Sequence, residues 1–355
     1  MTHKLLNPGP VTLTERVRNA LLRPDLCHRE AEFSELLQRI GRHLKDVDPA
    51  VTDLIPLVLA GSGTSAVEAM VQSLVPRGGT ALVLVNGVYG DRMVRMLKAQ
   101  GKTARVIAQP WGQTLAFTPA DLVGVDAILI VHHETTTGRL NDLQPIAQLA
   151  ADLGLPLLVD AVSSFGAEAL PRIANLQVAY AATANKCLHG VPGAAFVLAD
   201  RALLAKASGA CSVVLDLHQY QDATSDQPVP FTPPVHVLYA LDEALLEYRE
   251  MGGLVARAAT YRQRSRLVRD GLRALGLEPL LADHETSVCL SAFRLPEGVA
   301  YPALHDHLKA AGFTVYAGQG HFAGEILRVA TMGDLSEADL HRFLASVREY
   351  LRSLK

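Results

Sequence analysis

The residue best placed to do covalent chemistry is Lys186. It lies in the stretch Ala181-Ala182-Thr183-Ala184-Asn185-Lys186-Cys187-Leu188-His189-Gly190-Val191-Pro192-Gly193, between an apolar run from Val178 to Ala182 and a strand-like run from Ala194 to Ala199. Thr183 and Ala184 carry little bulk, and Gly190 and Gly193 let backbone approach closely. A lysine in such a crevice is desolvated, which lowers its pKa and makes the amine a usable nucleophile. Its natural use is a Schiff base with an aldehyde cofactor. Taken alone, Lys186 reads better as a surface lysine in a loop.

Asp160 decides between the two. The run Leu155 to Val159 is continuously apolar, as in a strand buried on both faces, and Asp160 ends it. A carboxylate at the C-terminal end of a parallel strand points into the ligand crevice of such a sheet. Pyridoxal phosphate (PLP) needs an acid beside its pyridine nitrogen so that the ring stays protonated and accepts electrons. The competing reading of Asp160 is a helix N-cap or loop aspartate.

Together the two stretches resemble the aminotransferase subgroup that holds alanine–glyoxylate, serine–glyoxylate and 2-aminoethylphosphonate–pyruvate transaminases, which are fold-type I PLP enzymes. In that subgroup the aspartate of a "VDAVSSFG"-like stretch, here Asp160, meets the ring nitrogen, and the lysine of an "NKCxxGVPG"-like stretch, here Lys186, carries the cofactor. The match runs from the N-terminus to about Gly333. The spacing between the two residues fits one helix or loop and a strand.

The remaining candidates sit where strands end. Leu54 to Ala60 reads as a strand, followed by Gly61-Ser62-Gly63-Thr64-Ser65-Ala66 and a helix from about Ala66 to Leu74. Free amides at a helix start make an anion site. The resemblance makes the anion the PLP phosphate, held by Ser62, Gly63 and Thr64; otherwise this is a glycine turn with serine capping. A strand from Thr80 to Val85 leads to Tyr89, which matches the aromatic ring that stacks on PLP in the subgroup, the alternative being a core tyrosine. A helix is expected from Met93 to Gln100, and a strand from Ala104 to Ala108. A strand from Asp126 to His132 leads to the "ETTTG" string, Glu134 to Gly138, which resembles the phosphonate branch closely and implies that Thr137 approaches the cofactor. His132 and His133 lack a carboxylate or cysteine at metal-ligand spacing, so no metal is expected. Relatives tend to have cysteine where His133 stands, which argues against a direct chemical role for it. Ile326 to Gly333 is an apolar strand carrying Arg328, and an arginine there is costly unless paired. In the family the equivalent arginine binds the substrate's acidic group, which its planar fork suits; a structural ion pair is the alternative.

Three further segments rest on the resemblance alone. The Asn7-Pro8-Gly9-Pro10 arm lies near the active site in relatives, although its side chains read as a domain-entry turn. His28, in a "HREAEF" stretch, is a candidate to face the substrate, with a capping or partner-contact role as its equal. Thr232, before a helix through about Tyr248, matches a threonine that reaches the PLP phosphate of the neighbouring subunit, which implies a homodimer with shared active sites. The segment Tyr220 to Pro234 before that helix is polar and proline-rich, and reads as a surface loop.

Strand, helix and strand repeat through the first two thirds of the chain. That pattern means a mainly parallel sheet between helices, an α/β fold of the fold-type I PLP-dependent transferase kind with a smaller C-terminal α+β domain. The expected division is an N-terminal arm (1–13), a large PLP-binding domain (14–245) and a small domain (246–355). The long basic helix from Leu254 to Leu275 links them, its arginines reading as a solvated face. At 355 residues and 49% hydrophobic content the chain can fill a large core, and with 5% aromatics aliphatic residues must fill it. A net charge of −3 offers no general attraction to nucleic acid or acidic membranes. Cys27, Cys187, Cys211 and Cys289 are far apart in sequence, so neither a disulfide framework nor a metal site is expected. The expected compartment is the cytosol, with no membrane-spanning run.

By resemblance, the reaction is ping-pong transamination of 2-aminoethylphosphonate and pyruvate to phosphonoacetaldehyde and alanine. The runner-up is a glyoxylate-linked transaminase using alanine or serine. A PLP lyase or desulfurase on the same fold stands third, since a desulfurase needs a mobile loop cysteine.

Overall fold

The computed structural model describes residues 3–221 and 228–354. The stretch Asp222 to Gln227, part of the expected polar loop, lies outside the described residues. A seven-stranded sheet forms the larger layer, in the order Ile55–Gly61, Gly193–Ala199, Val178–Thr183, Leu157–Asp160, Ala127–Val131, Thr80–Val85, Thr103–Ala108. Every neighbouring pair is parallel except those made by Gly193–Ala199, which runs against both its neighbours. Leu157–Asp160 lies fourth, at the middle, and all its residues are buried. Helices cover both faces, which is why this strand carries no alternation of polar residues.

Two separate cores result. On one face Phe33, Leu36, Ile40 and Leu44 of helix Ala31–Lys45, Ile146 of Gln144–Leu153 and Leu238, Leu241 and Leu245 of Val235–Glu250 pack on the sheet. On the other, Val67 and Met70 of Gly63–Leu74 meet Met93 and Leu97 of Val88–Ala99. A smaller antiparallel sheet joins Leu290–Arg294, Ile326–Ala330 and Tyr316–Ala317. Its helices, Gly253–Arg273, Tyr301–Ala310 and Glu337–Ser353, close a third core around Val268, Leu304 and Phe343. The N-terminal arm is stitched to this part: Lys4–Leu5 pairs with Phe313–Thr314, and Ala330 N donates to Leu6 O at 2.7 Å.

Two helices begin earlier than the sequence suggests. The first starts at Gly63, not Ala66, because Ser62 caps it: its hydroxyl accepts from Ser65 N at 3.3 Å while Ser65 Oγ accepts from Ser62 N at 3.2 Å. The second starts at Val88, not Met93, and so carries Tyr89 in its first turn. The solvated-face reading of the long basic helix also fails for three arginines. Arg257 and Arg269 are buried, and Arg264 is half-buried. Arg264 donates to the carbonyls of Thr331, Gly333 and Leu335, and Arg269 to Leu281 O and Asp283. A guanidinium can satisfy several chain-end carbonyls at once, and that outweighs its preference for water.

Candidate active site

Asp160 takes its position from the sheet. Its carbonyl accepts from His132 N at 2.9 Å, and it stands in register with Val131 and Ala181. One carboxylate oxygen accepts from Val162 N at 3.0 Å. Burial raises its pKa to about 6, against the pull of that amide and of the nearby charges of Arg92 and Lys186. Lys186 leaves the neighbouring strand through the turn after Thr183. Its amine donates to the carbonyl of Pro8, in the arm. Gly9 is held at φ +117, and a Cβ there would lie 2.6 Å from the lysine's Cδ, so a side chain at this position would strike Lys186. Burial lowers the amine's pKa to about 8; the Asp160 charge opposes that, and Arg328 and Arg92 reinforce it. The two groups far apart in sequence therefore feel each other across one crevice. The arm's backbone is part of its wall, beyond the entry turn read from its side chains.

The start of helix Gly63–Leu74 packs against the loop after Asp160, since a Cβ on Gly63 would meet Val162 Cγ1 at 2.7 Å. Ser62, Gly63 and Thr64 thus present a helix N-terminus beside Asp160. Thr64 Oγ1 accepts from Arg92 at 2.9 Å, and the Arg92 guanidinium sits 4.6 Å from the centre of the Tyr89 ring. The sequence reading did not single out Arg92. The available signal was its place three residues after Tyr89, on the same helix face. Thr137 is buried, and its hydroxyl has no partner among the described residues. His133 is buried beside the same crevice. Its Nδ1 lies 3.1 Å from Ser163 O, while its Nε2 has no partner among the described residues. Burial lowers its pKa to about 4, and the Lys186 charge pushes the same way.

Arg328 is 3% exposed. Its guanidinium donates to Ala317 O at 2.7 Å, Thr135 O at 3.0 Å and Gln319 Oε1 at 3.3 Å, all of them neutral. Burial lowers its pKa, and Tyr89 and Glu134 are among the groups that oppose this. The crevice thus gathers Lys186, Arg92 and Arg328 against Asp160 and Glu134, a set suited to an anion-bearing ligand. Glu134, buried in the "ETTTG" turn, is a second member that the sequence reading left without a role.

His28 and Thr232 are brought to each other, Oγ1 to Nε2 at 3.5 Å, on an exposed part of the chain. Among the described residues neither hydrogen-bonds to a member of the Lys186 crevice. Behind the lysine, Arg257 donates to Cys187 O at 3.1 Å and reaches His189 Nε2, which also accepts from Gly333 N at 2.8 Å. Cys187 and Cys289, distant in sequence, meet here as free thiols with sulfurs 3.6 Å apart.

The family model for class-V aminotransferases matches residues 29–333. The chain belongs to the class-V aminotransferases. It is 36% identical over 360 residues to a 2-aminoethylphosphonate–pyruvate transaminase of Pseudomonas fluorescens, covering 99% of this chain and 97% of that one. Among solved structures, an aspartate aminotransferase of subgroup IV from Thermus thermophilus superposes with a TM-score of 0.89 at 28% identity, covering 99% of this aminotransferase and 100% of the other. An alanine–glyoxylate aminotransferase from Nostoc sp. gives a TM-score of 0.89 at 26% identity, over 99% and 96%. No helix among the described residues of this aminotransferase is long and apolar enough to cross a membrane.

Proposed function

We propose that this aminotransferase carries PLP on Lys186 and transfers the amino group of 2-aminoethylphosphonate to pyruvate in two half-reactions, giving phosphonoacetaldehyde and L-alanine. The observation that carries the PLP reading is the placing of half-buried Lys186 and buried Asp160 at the ends of neighbouring strands of the sheet, each charge acting on the other. The donor set fits the cofactor: an amine for its aldehyde, a carboxylate for its ring nitrogen, a helix N-terminus for its phosphate and an unpartnered buried hydroxyl at Thr137. When bound, PLP supplies the electron sink that stabilises negative charge at the substrate carbon.

The chain's own residues supply the rest. Lys186 Nζ, with its pKa near 8, is unprotonated often enough to hold an aldehyde and, when released, to move a proton at the substrate carbon. Asp160 holds a hydrogen on the ring nitrogen. Amides and hydroxyls of Ser62, Gly63 and Thr64 hold the phosphate, and Tyr89 covers the ring and screens it from water. Thr137 donates to the ring oxygen or the phosphate region. Arg328, whose partners are all neutral, holds the acidic group of the substrate. Thr232 reaches the phosphate of a second subunit, and His28 beside it faces that subunit's substrate. The enzyme is then a homodimer, and its free cysteines fit a cytosolic compartment. Its arm (1–13), large domain (14–245) and small domain (246–355) are part of the same reading, supported by separate cores for the two sheets.

The likeness to the glyoxylate-linked enzyme supports a second reading, alanine or serine as donor and glyoxylate as acceptor. A donor panel separates them: purified protein with added PLP is offered aminoethylphosphonate with pyruvate, or alanine or serine with glyoxylate. Turnover of the phosphonate with alanine formation is expected. No turnover of the phosphonate alongside turnover of alanine or serine would replace the first reading by the second.

A further inference from the structure

Helix Val88–Ala99, which carries Tyr89 and Arg92, begins on Gly87, a residue with no side chain to cap it. The first amides of any helix lack intrahelical acceptors, and leaving them unpaired inside a protein is costly. Here the acceptors come from another part of the chain. Tyr89 N donates to Glu134 Oε2 at 3.1 Å, and Val88 N donates to Thr136 Oγ1 at 3.2 Å. The Thr136 hydroxyl in turn donates to Glu134 Oε1 at 2.6 Å, which also faces Thr136 N at 3.3 Å. Glu134 and Thr136 are 0% exposed. Gly87 is the residue that allows this: a Cβ there would lie 2.2 Å from Glu134 Cδ. A carboxylate at a helix start is favoured by the aligned peptide dipoles.

The same turn reaches further. Thr135 O accepts from Arg328 Nη1 at 3.0 Å, so the residues around Glu134 join the start of the Tyr89 helix to the strand of the buried arginine.

We propose that Glu134 is a positioning residue: as a capping carboxylate supplied from the "ETTTG" turn, it fixes the first turn of the Tyr89 helix and so holds the Tyr89 ring ready for the cofactor. This deepens the PLP reading and rests on it, but its structural half stands alone. Glu134 accepts from both Tyr89 N and the Thr136 hydroxyl, one through each carboxylate oxygen. Glutamine has the same shape but only one acceptor oxygen, and its amide would turn an N–H toward a donor.

Two measurements test this. In the cofactor-free protein, Glu134→Gln should raise amide hydrogen exchange at residues 88–91 by about tenfold, as expected for a lost buried hydrogen bond, with exchange in strands Leu157–Asp160 and Val178–Thr183 unchanged. In the second, PLP dissociation constants are measured by absorbance titration for wild type, E134Q, Y89A and the double variant. E134Q should weaken binding about tenfold, by the same lost hydrogen bond. The double variant should bind no more than about threefold worse than Y89A, because coupled residues do not add. If E134Q is too unstable to purify, T136V removes the relay to Val88 N and should show the same pattern with a smaller loss, about threefold. Independent, multiplying effects of E134Q and Y89A would overturn the proposal, as would unchanged exchange at 88–91. Raised exchange at 88–91 in E134Q alongside a wild type that binds no PLP would instead overturn the PLP reading and leave the cap intact.

Discussion

Replacing Arg328 by lysine keeps one positive charge in the crevice and removes the planar fork. In the structure the guanidinium already serves Ala317 O, Thr135 O and Gln319 Oε1, so an ammonium must choose between those acceptors and a substrate acid. Losing a two-pronged, charge-assisted contact removes about 1.5–3 kcal/mol. That corresponds to a fall of about 10–150-fold in kcat/KM for an acidic amino donor. Replacing it by leucine leaves the acid unpaired in a desolvated site and should cost about 3–5 kcal/mol. Both changes also strip partners from the two carbonyls, and that loss is shared by every substrate. The assay therefore compares two donors in initial-rate measurements at saturating pyruvate: 2-aminoethylphosphonate, and a neutral amine of similar length such as propylamine. If Arg328 binds the acid, R328K slows the phosphonate by the amount above and leaves the slow rate with the neutral amine within about threefold. Equal losses on both donors would refute the reasoning and reduce Arg328 to a clamp on the Ala317 and Thr135 carbonyls.

Lys186→Ala should remove the visible absorbance of PLP-loaded protein and all measurable turnover, with the melting temperature of the cofactor-free protein not lowered, since a half-buried amine whose charge is disfavoured there is removed; an unchanged spectrum with full activity would end the proposal. Asp160→Asn should abolish useful turnover yet stabilise the cofactor-free protein at pH 8. The folded carboxyl has its pKa raised to about 6 from 3.8, so the native state binds the proton more tightly than the unfolded chain. Its stabilisation is therefore full below pH 4 and lost as pH rises from about 4 to 6, and above that the buried charge costs about 3 kcal/mol. Urea melts of wild type and D160N at pH 5 and pH 8 check this; a wild type that gains stability over that interval relative to D160N would contradict the sign. Arg257→Met should destabilise the protein by about 1–3 kcal/mol by orphaning the buried Cys187 O, while His189 Nε2 keeps Gly333 N. Denaturant titration measures it, and a change under about 0.5 kcal/mol would show that Arg257 is replaceable.

The strands of the seven-stranded sheet were readable because most are apolar runs, broken by a charge only at Arg105 on the edge strand Thr103–Ala108, and the placing of Lys186 and Asp160 at one end of those strands was readable because each lies at or just past the end of such a run. What was hidden is what depends on partners distant in sequence. Gly87 reads as a loop breaker, and nothing nearby announces a helix at Val88, because its cap comes from Glu134 and Thr136. The arginines of Gly253–Arg273 follow a charged pattern that reads as wet, while the carbonyls of Cys187, Thr331 and Leu335 that draw Arg257 and Arg264 inward lie far along the chain. The Pro8 carbonyl on Lys186 is hidden for the same reason. For His28 and Thr232 a single chain shows only that they meet each other.

The charges of the crevice explain why these distant contacts exist. Three cationic side chains and two carboxylates are gathered where water is scarce, and burial is the largest cause moving Lys186 down and Asp160 and Glu134 up. No packing argument favours such a cluster, because isolated buried charges destabilise a fold. The fold tolerates it through neutral dipoles: the Val162 amide on Asp160, the Tyr89 amide on Glu134, the Pro8 carbonyl on Lys186 and the three neutral acceptors on Arg328. Each of these holds its charged group without cancelling the charge. A salt bridge in any of those places would stabilise the protein better and leave the group less free for a ligand. On the proposed reading, the excess of cations, unmatched one to one among the described residues, is the condition that admits a phosphate and a substrate acid to the same site.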